Sequence, residues 1–109
     1  MKIEDFLEKL KQLTEELEEA VYKIENNTSD GIKRAQEVMK KVQEIMPDWF
    51  FFIEQTELGD KQQILEILKD IMQGLEAEDS VYLADALCFG LRELALEYKN
   101  VIEEALYGE

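Results

Sequence analysis

The chain has 109 residues, 46% apolar and 35% charged, and its 26 acidic and 12 basic side chains leave a net charge of −14 with no histidine. That balance repels nucleic acid and anionic membrane surfaces, which attract cationic proteins. A lone cysteine excludes an internal disulfide and a thiolate metal site; one proline and five glycines fit helices joined by short turns, and the size sets one domain over residues 1–109 with roughly 6,300 Å² of folded surface.

The first segment places Ile3, Phe6, Leu10, Leu13, Leu17, Ala20 and Ile24 at alternating steps of three and four, with Leu7 and Val21 widening the stripe. Such spacing predicts an amphipathic helix, wet on its Glu8, Lys11, Glu15, Glu16, Glu18, Glu19 and Lys23 faces. Asn26 to Gly31 supplies the turn, since Asn, Ser, Asp and Gly cap helices and tolerate unusual dihedrals. The second segment repeats the pattern through Ile32, Ala35, Met39, Val42, Met46, Trp49 and Ile53, and its phase crosses Pro47 without a slip. This predicts one helix kinked in the turn before Pro47, where proline removes an amide and presses on the carbonyl of Gln43. A new helix beginning at Pro47 or Asp48 is the alternative.

Leu58-Gly59-Asp60 closes the second helix with a glycine and opens the third with an acceptor, Gln63 standing where a capping box needs it. Ile64, Leu65, Ile67, Leu68, Ile71, Met72 and Leu75 form a broad stripe over a short helix ending near Gly74. After Glu76 to Asp79, the fourth helix is capped by Asp79 or Ser80 and runs to about Tyr107, where Gly108 stops it. It is apolar on two sides. One seam holds Ala84, Leu87, Leu91, Leu94, Tyr98, Val101 and Ala105, and the other Tyr82, Ala86, Phe89 and Leu96, so this helix is either the centre of the fold or an interface. Gly90 within it implies a close neighbouring backbone. The expected fold is all-α: an antiparallel four-helix bundle with a short third helix and a second helix kinked near Pro47.

Trp49-Phe50-Phe51-Phe52 covers about 300° of a helix, more than one face can hold. Trp49 and Phe52 continue the core and Phe50 flanks it. Phe51 lies about 200° round from Trp49, in line with Leu58, and is either buried by the kink or free for a partner. Asp85 flanks the inner seam; a structural partner such as Arg92, Arg34 or a helix-end amide competes with a functional role for it. Cys88, beside Leu87 and Leu91, reads as a buried apolar residue. Glu15, Glu16, Glu18 and Glu19 lack the histidines of a di-metal bundle, and no imidazole exists to activate a nucleophile. No catalytic residue, metal or cofactor is therefore expected, nor an enzyme.

The opening Met1-Lys2-Ile3-Glu4-Asp5 carries acids where a secretion signal would be apolar, and no stretch reaches membrane-spanning length, so a cytoplasmic location is expected. At Glu76-Ala77-Glu78-Asp79-Ser80-Val81-Tyr82-Leu83-Ala84-Asp85-Ala86-Leu87 the chain resembles the last helix of a group of small all-helical bacterial proteins without assigned function. The resemblance covers about a dozen residues and implies a helical bundle but no activity. Size, acidity and helicity are also similar to those of small export chaperones, without a diagnostic motif. The expectation is a protein–protein interaction module, homodimeric through the fourth helix and the Trp49–Phe52 half of the second, with Phe51, Leu58, Tyr82, Asp85, Phe89 and Leu96 at the contact. The alternative is an adaptor, like an export chaperone, that holds a helical segment of another protein.

Overall fold

Residues 2–108 are described in a computed structural model, and within them every element is helical: α1 (Ile3–Asn26), α2 (Thr28–Thr56), α3 (Lys61–Ala77) and α4 (residues 80–107). Apolar spacing sets α1, which buries Phe6, Leu7, Leu10, Leu13, Thr14, Leu17, Ala20 and Ile24. Thr14 satisfies its buried hydroxyl by donating to the Lys11 carbonyl at 2.7 Å.

The turn expected over Asn26 to Gly31 shrinks to one residue, Asn27, held extended between two helices. Its side-chain oxygen accepts the Asp30 N–H at 3.4 Å, and its amide donates to the Asp30 carboxylate at 3.2 Å. Thr28, Ser29 and Asp30 are thereby the first turn of α2, where an acid complements the positive helix end. Gly31 serves proximity rather than turning. A Cβ there would lie 2.6 Å from the Ile24 side chain and nearer still to its backbone.

Helix α2 runs unbroken across Pro47 and buries Ala35, Val38, Met39, Val42, Ile45, Trp49, Phe52 and Ile53. It ends with Glu57, not a glycine, in the left-handed region at φ 58°, its N–H bonded to the Ile53 carbonyl at 2.8 Å. Gly59 follows at φ 99°, and the Tyr98 ring occupies the space a side chain there would need. Asp60 caps α3 by accepting the Gln62 N–H at 2.9 Å. The stripe on α3 is narrower than expected, with Ile64, Ile71 and Gly74 buried but Leu65 and Met72 exposed. α4 covers one flank of α3, whereas the α2 contacts at Lys61, which pairs with Glu54 and lies 5.6 Å from the Phe50 ring centre, fall at the start of α3.

α4 departs from a plain helix. Ser80–Asp85 and Glu93–Tyr107 are α-helical, but Ala86–Arg92 between them is π-helical. The burial pattern explains it: from Leu83 through Leu87, Leu91, Leu94 and Tyr98 to Ile102, five steps span 19 residues. Five α-helical turns take only about 18. A wider turn absorbs the surplus residue and keeps Leu83, Leu87 and Leu91 facing inward together. Leu83 therefore takes the core place expected of Ala84, while Val101 and Ala105, beyond the reach of the short α3, are exposed.

Partner residues descend along α2 as they ascend along α1: Lys9 pairs with Asp48 at 3.1 Å, Glu16 with Lys41, and Glu19 with Arg34 at 2.9 Å. The same order links α1 to α4 through Lys11 with Glu103 at 3.7 Å and Glu18 with Arg92 at 3.0 Å. Between α3 and α4, Ile67 meets Gly90 and Leu83 meets Gly74. α2 and α4 touch through core rings, Tyr98 lying 5.2 Å from Trp49 and 6.0 Å from Phe52 between centroids. The molecule measures 41 × 24 × 20 Å, its long axis matching the roughly 43 Å expected of the 29-residue α2. Its 6580 Å² of accessible surface is near the value expected for a lone folded chain of this mass.

Candidate functional site

A concave surface with partly apolar walls lies between the second half of α1 and the first half of α4, beside the π-helical turns. Two hollows meet there. Val21, Tyr22, Cys88, Arg92, Glu18 and Glu25 line one. Ile24, Glu25, Thr28, Val81, Ala84 and Asp85 are among the residues lining the other, so Glu25 borders both. The α1 wall follows from that helix's phase: Ile24 and Leu17 point to the core, which turns Val21 partly and Tyr22 fully outward. Tyr22 is 67% exposed and Val81 71%.

Phe89 follows Cys88 in the π-helical segment and is 71% exposed, a large ring left in water. Glu18 accepts from Arg92 at 3.0 Å, and that bond holds the guanidinium firmly protonated. Arg92 also lies 3.5 Å from Glu93. Among the described residues, Glu25 and Asp85 have no cationic partner. The rim of the groove thus carries uncompensated negative charge above an apolar lining.

The six contact residues expected from the sequence do not form one patch. Phe51 and Leu58 are 46% and 48% exposed; Tyr82, Asp85 and Phe89 are exposed, and Leu96 is half-buried. Phe51 stands on α2 level with the core rings that meet Tyr98, whereas Phe89 stands on α4 nine residues before Tyr98, about 13 Å along the axis. α2 and α4 do not adjoin along their lengths, so the two rings project from different sides of the molecule. Leu58 borders a separate hollow with Gly59, Glu97, Tyr98 and Val101. The Tyr82 hydroxyl donates to Asp70 at 3.1 Å, with Gln73 3.4 Å away, and desolvation first and Asp70 second raise its pKa. That bond ties the ring to α3.

Asp85 departs from its expected setting. Both arginines considered for it are engaged elsewhere, Arg34 with Glu19 and Glu37 and Arg92 with Glu18 and Glu93, and the carboxylate is exposed on the groove wall. Cys88 is half-buried rather than enclosed, lining the same hollow as Val21 and Tyr22. Tyr22, Glu25 and Val81 were not singled out from the sequence. The signal available was Tyr22 and Val81 standing off the apolar seams of their own helices; that the two helices bring them to one groove is a fact of tertiary packing.

A further hollow, between α1 and α2, is bordered by Lys9, Gln12, Glu16, Lys41 and Glu44, and its Lys9–Asp48 and Lys41–Glu16 pairs leave little local charge. Among the described residues, no group of three His, Cys, Asp or Glu could hold a metal ion, and no helix is long and apolar enough to cross a membrane. Comparison with known proteins adds no relative: no family model, no curated protein and no solved structure matches the chain significantly.

Proposed function

We propose that this chain is a non-enzymatic, cytoplasmic protein–protein interaction module, built as an antiparallel four-helix bundle with a short third helix. The order of ion pairs along α1 supports the alternation of directions, and Pro47, which cannot donate to the Gln43 carbonyl, supports a bend in α2 just before it. The observation that carries the functional reading is Phe89, a large ring 71% exposed on α4, the helix that forms one wall of the groove. Burying such a ring contributes about 1.5–3 kcal/mol, a gain the folded monomer leaves unused and a partner would realise.

Two occupants fit that surface: a second copy of the chain, or a helical segment of another protein. A two-fold dimer would centre on α4 alone, since Phe51 and Phe89 look in different directions. Replacing Phe89 with serine tests the reading at its root. A spare contact residue should change unfolding free energy by no more than about 0.5 kcal/mol. A loss of several kcal/mol in thermal unfolding would make the ring part of the fold and remove the case. Light scattering over a concentration series then separates the occupants, a doubled mass pointing to the second copy.

A further inference from the structure

We infer that the α1–α4 groove receives a basic amphipathic helix of another protein, a conclusion that rests on the interaction-module reading and names the partner's chemistry. Charge decides between the occupants. The groove rim presents Glu25 and Asp85 without cationic partners among the described residues, on a molecule of net charge −14. A second copy of this chain would bring its own acids against the same rim, whereas lysines and arginines flanking an apolar stripe would meet complementary charge at both walls.

Shape agrees. From Ser80 to Arg92 the α4 wall runs for up to about 18 Å, the length of a helix of some twelve residues. Val21, Tyr22, Val81, Ala84 and Cys88 offer apolar contact along it. The π-helical turn has a role in this arrangement: its extra residue lets Leu83, Leu87 and Leu91 stay in the core while leaving Phe89 outside.

The test uses the intact chain and a synthetic helical peptide of about 14 leucines and lysines, with the lysines replaced by glutamates in a control peptide. Calorimetric titration at physiological salt should give one site for the lysine peptide and none for the control. Glu25→Lys with Asp85→Lys should weaken binding at least about tenfold. Glu57→Lys with Glu104→Lys, the same change in net charge at the opposite end of the molecule from the groove, should weaken it less than about twofold. Bound peptide should also slow alkylation of Cys88 by N-ethylmaleimide.

Equal weakening by both pairs of substitutions would reduce the attraction to overall charge and overturn the inference. So would equal binding of the two peptides, an absence of binding by the folded protein, or a Cys88 that reacts as fast in the complex. Circular dichroism of each variant shows that a lost affinity is not lost folding. Should the chain instead dimerise and thereby protect Cys88, the occupant is a second copy: the basic-helix inference fails while the interaction-module reading stands.

Discussion

Substituting Gly59 by alanine should be among the most damaging small changes available in this protein. The residue holds φ 99°, a conformation that costs an L-residue about 1–2 kcal/mol. Its missing side chain leaves room for Tyr98, whose Cζ would lie 2.6 Å from an alanine Cβ and whose hydroxyl oxygen would lie closer. Moving that ring disturbs its edge-on packing against Trp49 and Phe52, and overfilling a core of this kind costs about 1–3 kcal/mol. Together the two effects give a loss of about 2–5 kcal/mol, or a melting temperature lower by about 10–25 °C for a domain of this size. Urea unfolding followed by the fluorescence of Trp49, the one tryptophan, reads both the loss and the disturbed packing. Tyr98→Phe sharpens the test. The Tyr98 hydroxyl is buried without a hydrogen-bond partner, as is Trp49 Nε1, so removing it should be neutral or stabilising. In that background Gly59→Ala should cost about 1 kcal/mol less, because the worst overlap, with the hydroxyl, is gone while the contact with Cζ and the backbone strain persist. A cost below about 1 kcal/mol for Gly59→Ala alone, or an identical cost with and without the hydroxyl, would refute the reasoning.

Three further outcomes follow from other positions. Gly31→Ala should destabilise by about 1–3 kcal/mol in chemical denaturation despite alanine's better helix propensity, because its methyl would press on the Ile24 backbone. Glu78→Gly should stabilise by about 1 kcal/mol in the same assay: Glu78 holds φ 52° at the end of α3, where glycine relieves strain and removing an anion relieves repulsion with the helix dipole. Hydrogen bonding and charge from Arg34, then Lys23, hold the Glu19 carboxyl below its usual range, so that pairing contributes above the range and is lost as pH falls through the lowered value. The stability difference between wild type and Arg34→Gln should accordingly be present at neutral pH and close on acidification, as thermal melts at several pH values will show.

The helical character of this chain was legible because the apolar steps in α1 and α2 are regular, and regularity survives translation into three dimensions. Pro47 did not mislead: the phase from Ile32 to Ile53 crosses it, and so does the helix. What stayed hidden has physical causes. Asn27 could not be recognised as a one-residue junction, since Thr28, Ser29 and Asp30 serve a turn as well as a first helical turn and only the packing of Gly31 on Ile24 chooses. The π-helical turn hides in the difference between Ala84 and Leu83, because a three-and-four pattern can be threaded through α4 either way until its neighbours are known. Of the contact residues expected from the sequence, only Asp85 lines the groove. Tyr22 and Glu25 reach the groove from a helix more than fifty residues away in the chain, and no periodicity within one segment reports such a meeting.

The single-residue link at Asn27 has a kinetic consequence. With almost no chain to close, the α1–α2 hairpin forms at minimal entropic cost, and its contacts are among the more local ones in the molecule. That makes the hairpin the natural nucleus, onto which α3 and α4 condense later. Substitutions at Ala20 or Ala35 should then slow refolding, whereas those at Leu83 or Ile71 should chiefly hasten the reverse reaction.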